Sequence, residues 1–224
     1  MTISKRDVAC SGSTRGGYDL AIFDFDGTLA DSIPWVMSIV DEIADAHGLN
    51  RVTAEDLKLL RSLNVAQAAK QFGVPVWRMP PIAVDVRRRM AAEIDRISLY
   101  DGIPALLWSL RDAGIALAVV SSNAEANVRA ALDEDLAALF TVYICGVSLL
   151  GKASKLRQVV SRTGIATEKA IYIGDEIRDV EAAHDAGMAV GAVTWGYNDA
   201  QALADAEPTY LFRSAREIGA AVIG

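Results

Sequence analysis

Cysteine is scarce: the 224 residues hold two, Cys10 and Cys145, too few and too far apart for a disulfide framework or a cysteine-based metal cluster. Cys145 closes the apolar run Val142-Tyr143-Ile144-Cys145 and reads as a core residue. Histidine is equally rare, and His47 and His184 both read as packing or surface residues rather than catalytic bases. No stretch approaches the roughly 18 uninterrupted apolar residues of a membrane span. Residues 1–17 (MTISKRDVACSGSTRGG) lack the apolar segment of a signal peptide and read as a flexible polar tail. Basic residues are in deficit: 22 Lys and Arg face 29 Asp and Glu, a net charge of −7. That balance argues against nucleic-acid or membrane partners, which need a cationic surface. A cytoplasmic enzyme, monomer or homodimer, is the expectation.

What is present suits a globular fold, with 52% apolar and 23% charged residues. Short apolar runs alternate with helical patterns from Asp19 onward. The runs are 20–23, 115–120, 142–145, 170–173, 188–195 and 209–212. Continuous runs of this length suit strands buried on both faces of a parallel sheet. Helical stretches fall at 104–113, 125–138, 152–163, 178–187, 199–205 and 214–222, with Gly114, Gly164 and Gly187 placed as helix-ending glycines. The alternation predicts βαβ units in a doubly wound, mainly parallel Rossmann-like α/β sheet. Residues 33–98 break it, with amphipathic stretches at 33–47, 54–61, 65–72 and 80–97 punctuated by Gly48, Gly73, Pro75 and Pro80-Pro81. The predicted organisation is a tail (1–17), a core (18–32 and 99–224) and a small helical cap domain (33–98).

In an open parallel sheet, ligands bind beyond the carboxyl ends of the strands. Those ends carry Asp24 and Asp26, then Ser121, then Asp175 and Asp179, with Lys152 beyond the third strand. Several buried carboxylates cannot converge without a cation, and a hard ion such as Mg²⁺ suits a few carboxylates plus a substrate phosphate. A carboxylate is a competent nucleophile at phosphorus. Lys152 and Ser121 would neutralise and hydrogen-bond the phosphoryl oxygens, with Asn123 a neighbour at the phosphate. Asp26, two residues beyond Asp24, points the same way in an extended segment and would serve as acid, then base.

These residues match a family. Asp24-Phe25-Asp26-Gly27-Thr28-Leu29 resembles the first signature of the haloacid dehalogenase superfamily. Ser121 looks like its second signature, Lys152 its third, and Gly174-Asp175 with Asp179 its fourth. The insertion at 33–98 resembles the helical type-1 cap. The DGTLADS, AAHDAGM and TWGYND stretches look like the phosphoglycolate-phosphatase branch. The resemblance implies Asp24 as nucleophile and Asp26 as general acid/base. It implies Mg²⁺ held by Asp24, the Asp26 carbonyl and Asp175, with Asp179 orienting a water or adding a ligand. Ser121 and Lys152 would clamp the phosphoryl group. Such an enzyme hydrolyses a small phosphorylated metabolite, phosphoglycolate among the candidates, through an aspartyl-phosphate.

Two departures stand out. That branch usually shows Lys-Pro where this chain has Lys152-Ala153, which makes Lys155 a competitor, and Ser or Thr where it has Glu176, read as a solvated carboxylate. The alternatives are a pyrophosphatase, a β-phosphoglucomutase-like phosphomutase and a catalytically silent binding module. Ser62-Leu63-Asn64-Val65 lacks the basic residue a mutase would show there, and every motif carboxylate is retained. Arg87-Arg88-Arg89 reads as a solvated helix face. Arg61 is a candidate for a second anionic group on the substrate. The four tryptophans (Trp35, Trp77, Trp108 and Trp195) read as packing residues.

Overall fold

The computed structural model describes residues 17–146 and 151–224. Cys10 and residues 1–16 of the expected tail lie outside them. Six strands form one parallel sheet: β1 (Leu20–Phe23), β2 (Ala116–Val120), β3 (Phe140–Ile144), β4 (Ala170–Gly174), β5 (Ala189–Val193) and β6 (Tyr210–Phe212). Their order is β3-β2-β1-β4-β5-β6, and every neighbouring pair is parallel. The order reverses between β1 and β4, the crevice where doubly wound sheets bind ligands.

Side-chain alternation along the strands sorts the apolar runs onto two faces. Leu20 and Ile22 of β1 join Val120, Tyr172 and Val190 beneath α7 (Lys152–Thr163), α8 (Ile177–Ala186) and α9 (Ala200–Asp205). Ala21 and Phe23 join Leu117, Val119 and Ile173 beneath α5 (Ile103–Asp112), α6 (Glu125–Ala137) and α10 (Ala215–Ile223). Burial on both sides is why these strands read as unbroken apolar runs. Register then sets the site, because Phe23 lies opposite both Val119 and Ile173. Asp24, Ser121 and Asp175 therefore emerge within one residue of the same level.

Four helices fill the gap between β1 and α5: α1 (Ile33–Ala46), α2 (Ala54–Leu60), α3 (Val65–Gln71) and α4 (Met79–Ala92). Reciprocal capping boxes start α2 (Thr53 with Asp56) and α3 (Asn64 with Gln67). Trp35, Ile39 and Ile43 of α1 and Met90 of α4 enter the same core as Phe25 and Leu29. The Trp35 indole also donates to Glu93 at 2.9 Å, fastening the start of α1 to the end of α4.

Several expectations need correction. β3 begins at Phe140, ahead of the expected 142, because Phe140 pairs with Leu117 and packs edge-on against Phe23. Pro80 occupies the first turn of α4, where no amide partner is lost, and that helix ends at Ala92, short of the expected 97. α6 is broken at Asp133 (φ 62°), whose carboxylate accepts the Leu136 amide and starts a last short turn. Trp35 is buried and Trp195 packs on Tyr100. Trp77 and Trp108 instead face solvent, 76% and 37% exposed, Trp108 beneath the Arg111 guanidinium. Arg88 is solvated, but Arg87 crosses to the core and donates to the Ser122 carbonyl at 2.7 Å. Cys145 is half-buried at the end of β3. Among the described residues no helix is long and apolar enough to cross a membrane.

Candidate active site

Asp24 leaves β1 while its amide still bonds to Ile173 of β4 at 2.8 Å. The next residues turn tightly, with the Leu29 and Ala30 amides both on the Phe25 carbonyl. The turn brings Gly27, at φ +74°, against Asp175, where a Cβ would lie 2.1 Å from the Asp175 Oδ2. Gly196 closes the other side, where a Cβ would come within 2.2 Å of the Asp175 Cβ. Backbone can approach this carboxylate and side chains cannot.

Asp175 is buried, with Oδ1 accepting from the Thr28 hydroxyl at 2.8 Å and Oδ2 from the Tyr197 amide at 2.7 Å. Lys152, 4% exposed, bridges two carboxylates, Asp24 Oδ2 at 2.6 Å and Asp179 Oδ1 at 2.5 Å. Asp179 also accepts from the Tyr172 hydroxyl (3.2 Å) and from the Asp175 and Glu176 amides (3.1 and 3.0 Å). It therefore fixes the lysine and the start of α8 together. Ser121 is fully buried, its Oγ accepting the Asn123 amide at 3.1 Å. Asn123, expected at the phosphate, spends its side-chain protons on Asp26 Oδ2 (2.9 Å) and Met90 Sδ (3.0 Å). Asp26 Oδ1 is buried and, among the described residues, has no hydrogen-bond partner.

The charges do not balance. Lys152 pairs with Asp24 and Asp179, and Arg178 pairs with Glu176 at 2.5 Å, so among the described residues Asp26 and Asp175 have no ion pair. Glu176 is thus ion-paired, not solvated. Burial, then the neighbouring charges of Glu176, Asp179 and Asp24, pushes Asp175 well above the usual carboxylate range. Burial also raises Asp24, against the pull of Lys152. Asp26 is pushed up to about 6 by burial and by the charge of Asp24. Burial would raise Asp179 and lower Lys152, but their mutual attraction wins in both, so this pair is charged. Oxygen atoms of Asp24, Asp175 and Asp179 lie within 4.8 Å of one another. An all-oxygen donor set with excess negative charge fits a hard divalent cation.

All the expected site residues lie in this crevice. His47 instead bonds Asp85 at 3.2 Å, and His184 lies exposed on α8. Lys155 has no salt bridge among the described residues. Arg61 donates to the Gly196 carbonyl at 3.1 Å. Sequence reasoning missed Thr28, Tyr172, Arg87 and Asn198. The first and last lie inside quoted motifs, but their partners are 147 and 135–137 residues away.

The family model of haloacid dehalogenase-like hydrolases matches residues 21–193. A phosphoglycolate phosphatase of Synechococcus elongatus is 36% identical, over 90% of this chain and 95% of that protein. An N-acetylmuramic acid 6-phosphate phosphatase of Pseudomonas aeruginosa is 29% identical, over 79% of this chain and 81% of its own length. A Clostridium acetobutylicum structure described as a predicted phosphatase superposes with a TM-score of 0.75 at 25% identity, covering 91% of this chain and 97% of that one. With its signature carboxylates gathered at the strand ends, the chain belongs to the haloacid dehalogenase-like hydrolases, as a phosphatase.

Proposed function

We propose that this enzyme is a Mg²⁺-dependent phosphatase of small phosphomonoesters that works through an aspartyl-phosphate on Asp24, with residues 33–98 as a cap over a core of 18–32 and 99–224. Phosphoglycolate is the candidate substrate that the relatives' names supply. The observation that carries the reading is the pairing of Asp24, held by Lys152 at 2.6 Å, with Asp26, whose Oδ1 is buried and unpartnered. One carboxylate is oriented to attack; the other is free to exchange a proton.

Asp24, the Asp26 main-chain carbonyl and Asp175 would hold the metal. Asp179 supports them from behind, its oxygens already accepting from Lys152, Tyr172 and two amides. When bound, Mg²⁺ offsets the carboxylate charge and that of the transferring phosphoryl group. Asp24 attacks phosphorus, and the bond to the leaving oxygen breaks as Asp26 delivers its proton there. A carboxyl raised to about 6 is better suited to that donation than an ordinary aspartic acid. Asp26, now ionised, takes a proton from the water that cleaves the acyl-phosphate and returns Asp24. Asn123 holds Asp26 from its other oxygen, and Ser121 and Lys152 clamp the phosphoryl oxygens.

Phosphate release from phosphoglycolate and a panel of phosphomonoesters, with Mg²⁺ and with EDTA, tests this directly. Mg²⁺-dependent release that disappears in Asp24→Asn is the expected result. Turnover retained by folded Asp24→Asn would overturn the covalent route.

A further inference from the structure

A cleft of about 770 Å³ runs up from Asp26, Gly27 and Asp175 into the helical insertion. Its walls are apolar, with Val36 and Val40 of α1, Leu60 of α2, Phe72 beyond α3 and Ile82 of α4. α2 has no fully buried residue, so the insertion does not fill this space with its own side chains. Among the described residues Arg51 is the only cation on the wall, and it is bonded to Asp45 at 2.6 Å and lies 3.7 Å from Asp41. Asp56, also on the wall, accepts from the Thr53 amide and hydroxyl. The cleft therefore offers no free cation.

Asp26 lines its floor, and the buried Oδ1 of that carboxyl has no hydrogen-bond partner among the described residues. In an in-line displacement the leaving oxygen departs opposite the attacking carboxylate and takes its proton from Asp26. Whatever the leaving alcohol carries must then extend into this cleft. Resting on the phosphatase reading above, which sends the leaving group this way, we infer that the cleft is an apolar subsite and that the enzyme takes, beyond phosphoglycolate, phosphomonoesters whose alcohol bears an uncharged apolar chain or ring. Hydrolysis stays balanced: the P–O bond to the alcohol breaks, water supplies the new P–O bond, and the alcohol leaves with a proton. Phosphoglycolate occupies only the floor of such a space; a longer alcohol gains burial along its walls.

The test is kcat/KM with Mg²⁺ for straight-chain alkyl phosphates from methyl to octyl, beside ω-carboxyalkyl phosphates of matching length. In the alkyl series kcat/KM should climb about three- to fourfold per methylene until the cleft is full, mainly through KM because ground state and transition state share the contact. The carboxylated series should not climb alike, since its charge must shed water among methyl groups. Phe72→Ser should flatten the alkyl slope. Inhibition of the unaltered enzyme by alkylphosphonates, with Ki falling as the chain lengthens, gives the same reading without a variant. A flat alkyl series and flat Ki values, with phosphoglycolate still hydrolysed, would overturn the subsite alone. No Mg²⁺-dependent release from any ester would remove the phosphatase reading and the subsite together.

Discussion

The side chain of Asn198, 1% exposed, donates to the Arg61 carbonyl at 2.8 Å and so joins the loop after β5 to the turn between α2 and α3. Its second proton goes to Leu63 at 3.1 Å, and its Oδ1 accepts the Ile177 amide at 2.9 Å. The Asp199 amide adds a bond to the same Arg61 carbonyl. One residue earlier, the Tyr197 amide holds Asp175. A single loop thus sets both a site carboxylate and the far half of the insertion. Asn198→Ala removes two donors and an acceptor from a buried position, a loss of roughly 1–3 kcal/mol. For a chain of this size we expect Tm to fall by about 3–10 °C, KM to rise more than kcat falls, and amide exchange at 61–64 to quicken. Unchanged exchange there would show that something else holds the turn.

Lys152 and Lys155 separate cleanly by position. Lys152 is buried between two carboxylates, and Lys155 on the same helix is half-buried and outside that cluster. Lys152→Met leaves Asp24 and Asp179 uncompensated, which for a buried pair costs on the order of 3–5 kcal/mol. The variant should lose both thermal stability and at least about a hundredfold in kcat/KM. Lys155→Met should stay within a few fold of the parent on both measures. Equal losses from the two variants would contradict the geometry.

Much of this was readable beforehand, for definite reasons. Strands buried on both faces spell themselves as apolar runs, and the motif residues at their ends, such as Asp24 and Asp175, need only the rule that parallel strands bind at their carboxyl edge. Asn198 and Thr28 escaped because a side chain bonded to a partner more than 130 residues away leaves no local pattern. Arg87 was hidden by the two arginines beside it: only α4's orientation against α6 sends it to Ser122. Trp77 and Trp108 misled because bulk alone does not say which side of a helix meets the core.

Gly27 offers a test of how tightly the site is built. Its φ of +74° disfavours any other residue, and an added Cβ would lie 2.1 Å from the Asp175 Oδ2. The carboxylate cannot yield, because Thr28 and the Tyr197 amide hold both its oxygens and Gly196 blocks the opposite side. Gly27→Ala should therefore weaken Mg²⁺ binding, read by calorimetry, and cut kcat by about tenfold or more through misplacement of the site. Gly48, also at positive φ (+58°) but with nothing near its Cβ, supplies the control. Gly48→Ala should cost only about 1 kcal/mol of stability and leave metal binding alone. Matching metal affinities in the two variants would show that the close approach at Gly27 has no bearing on the metal.

The crowded carboxylates also give the metal-free protein an unusual response to acid. Asp26 has a folded pKa of about 6, above its ordinary 3.8, because of burial and the charge of Asp24. An acid raised on folding binds more protons folded than unfolded between those values. Its ionised form therefore opposes folding at neutral pH, and the opposition is relieved as pH falls through 6. Asp175 and Asp24 are raised as well and act in the same direction, whereas Asp179, held low by Lys152 and Arg178, loses its contribution only in stronger acid. In EDTA, Tm should rise between pH 7.5 and about 5.5 before ordinary acid unfolding sets in. Asp26→Asn removes one titrating group and should show a smaller rise. Saturating Mg²⁺, held as proposed, would supply the missing positive charge, so the same pH change should do less. Parallel Tm curves for the parent and Asp26→Asn in EDTA would mean that Asp26 ionises in the folded chain as it does in water.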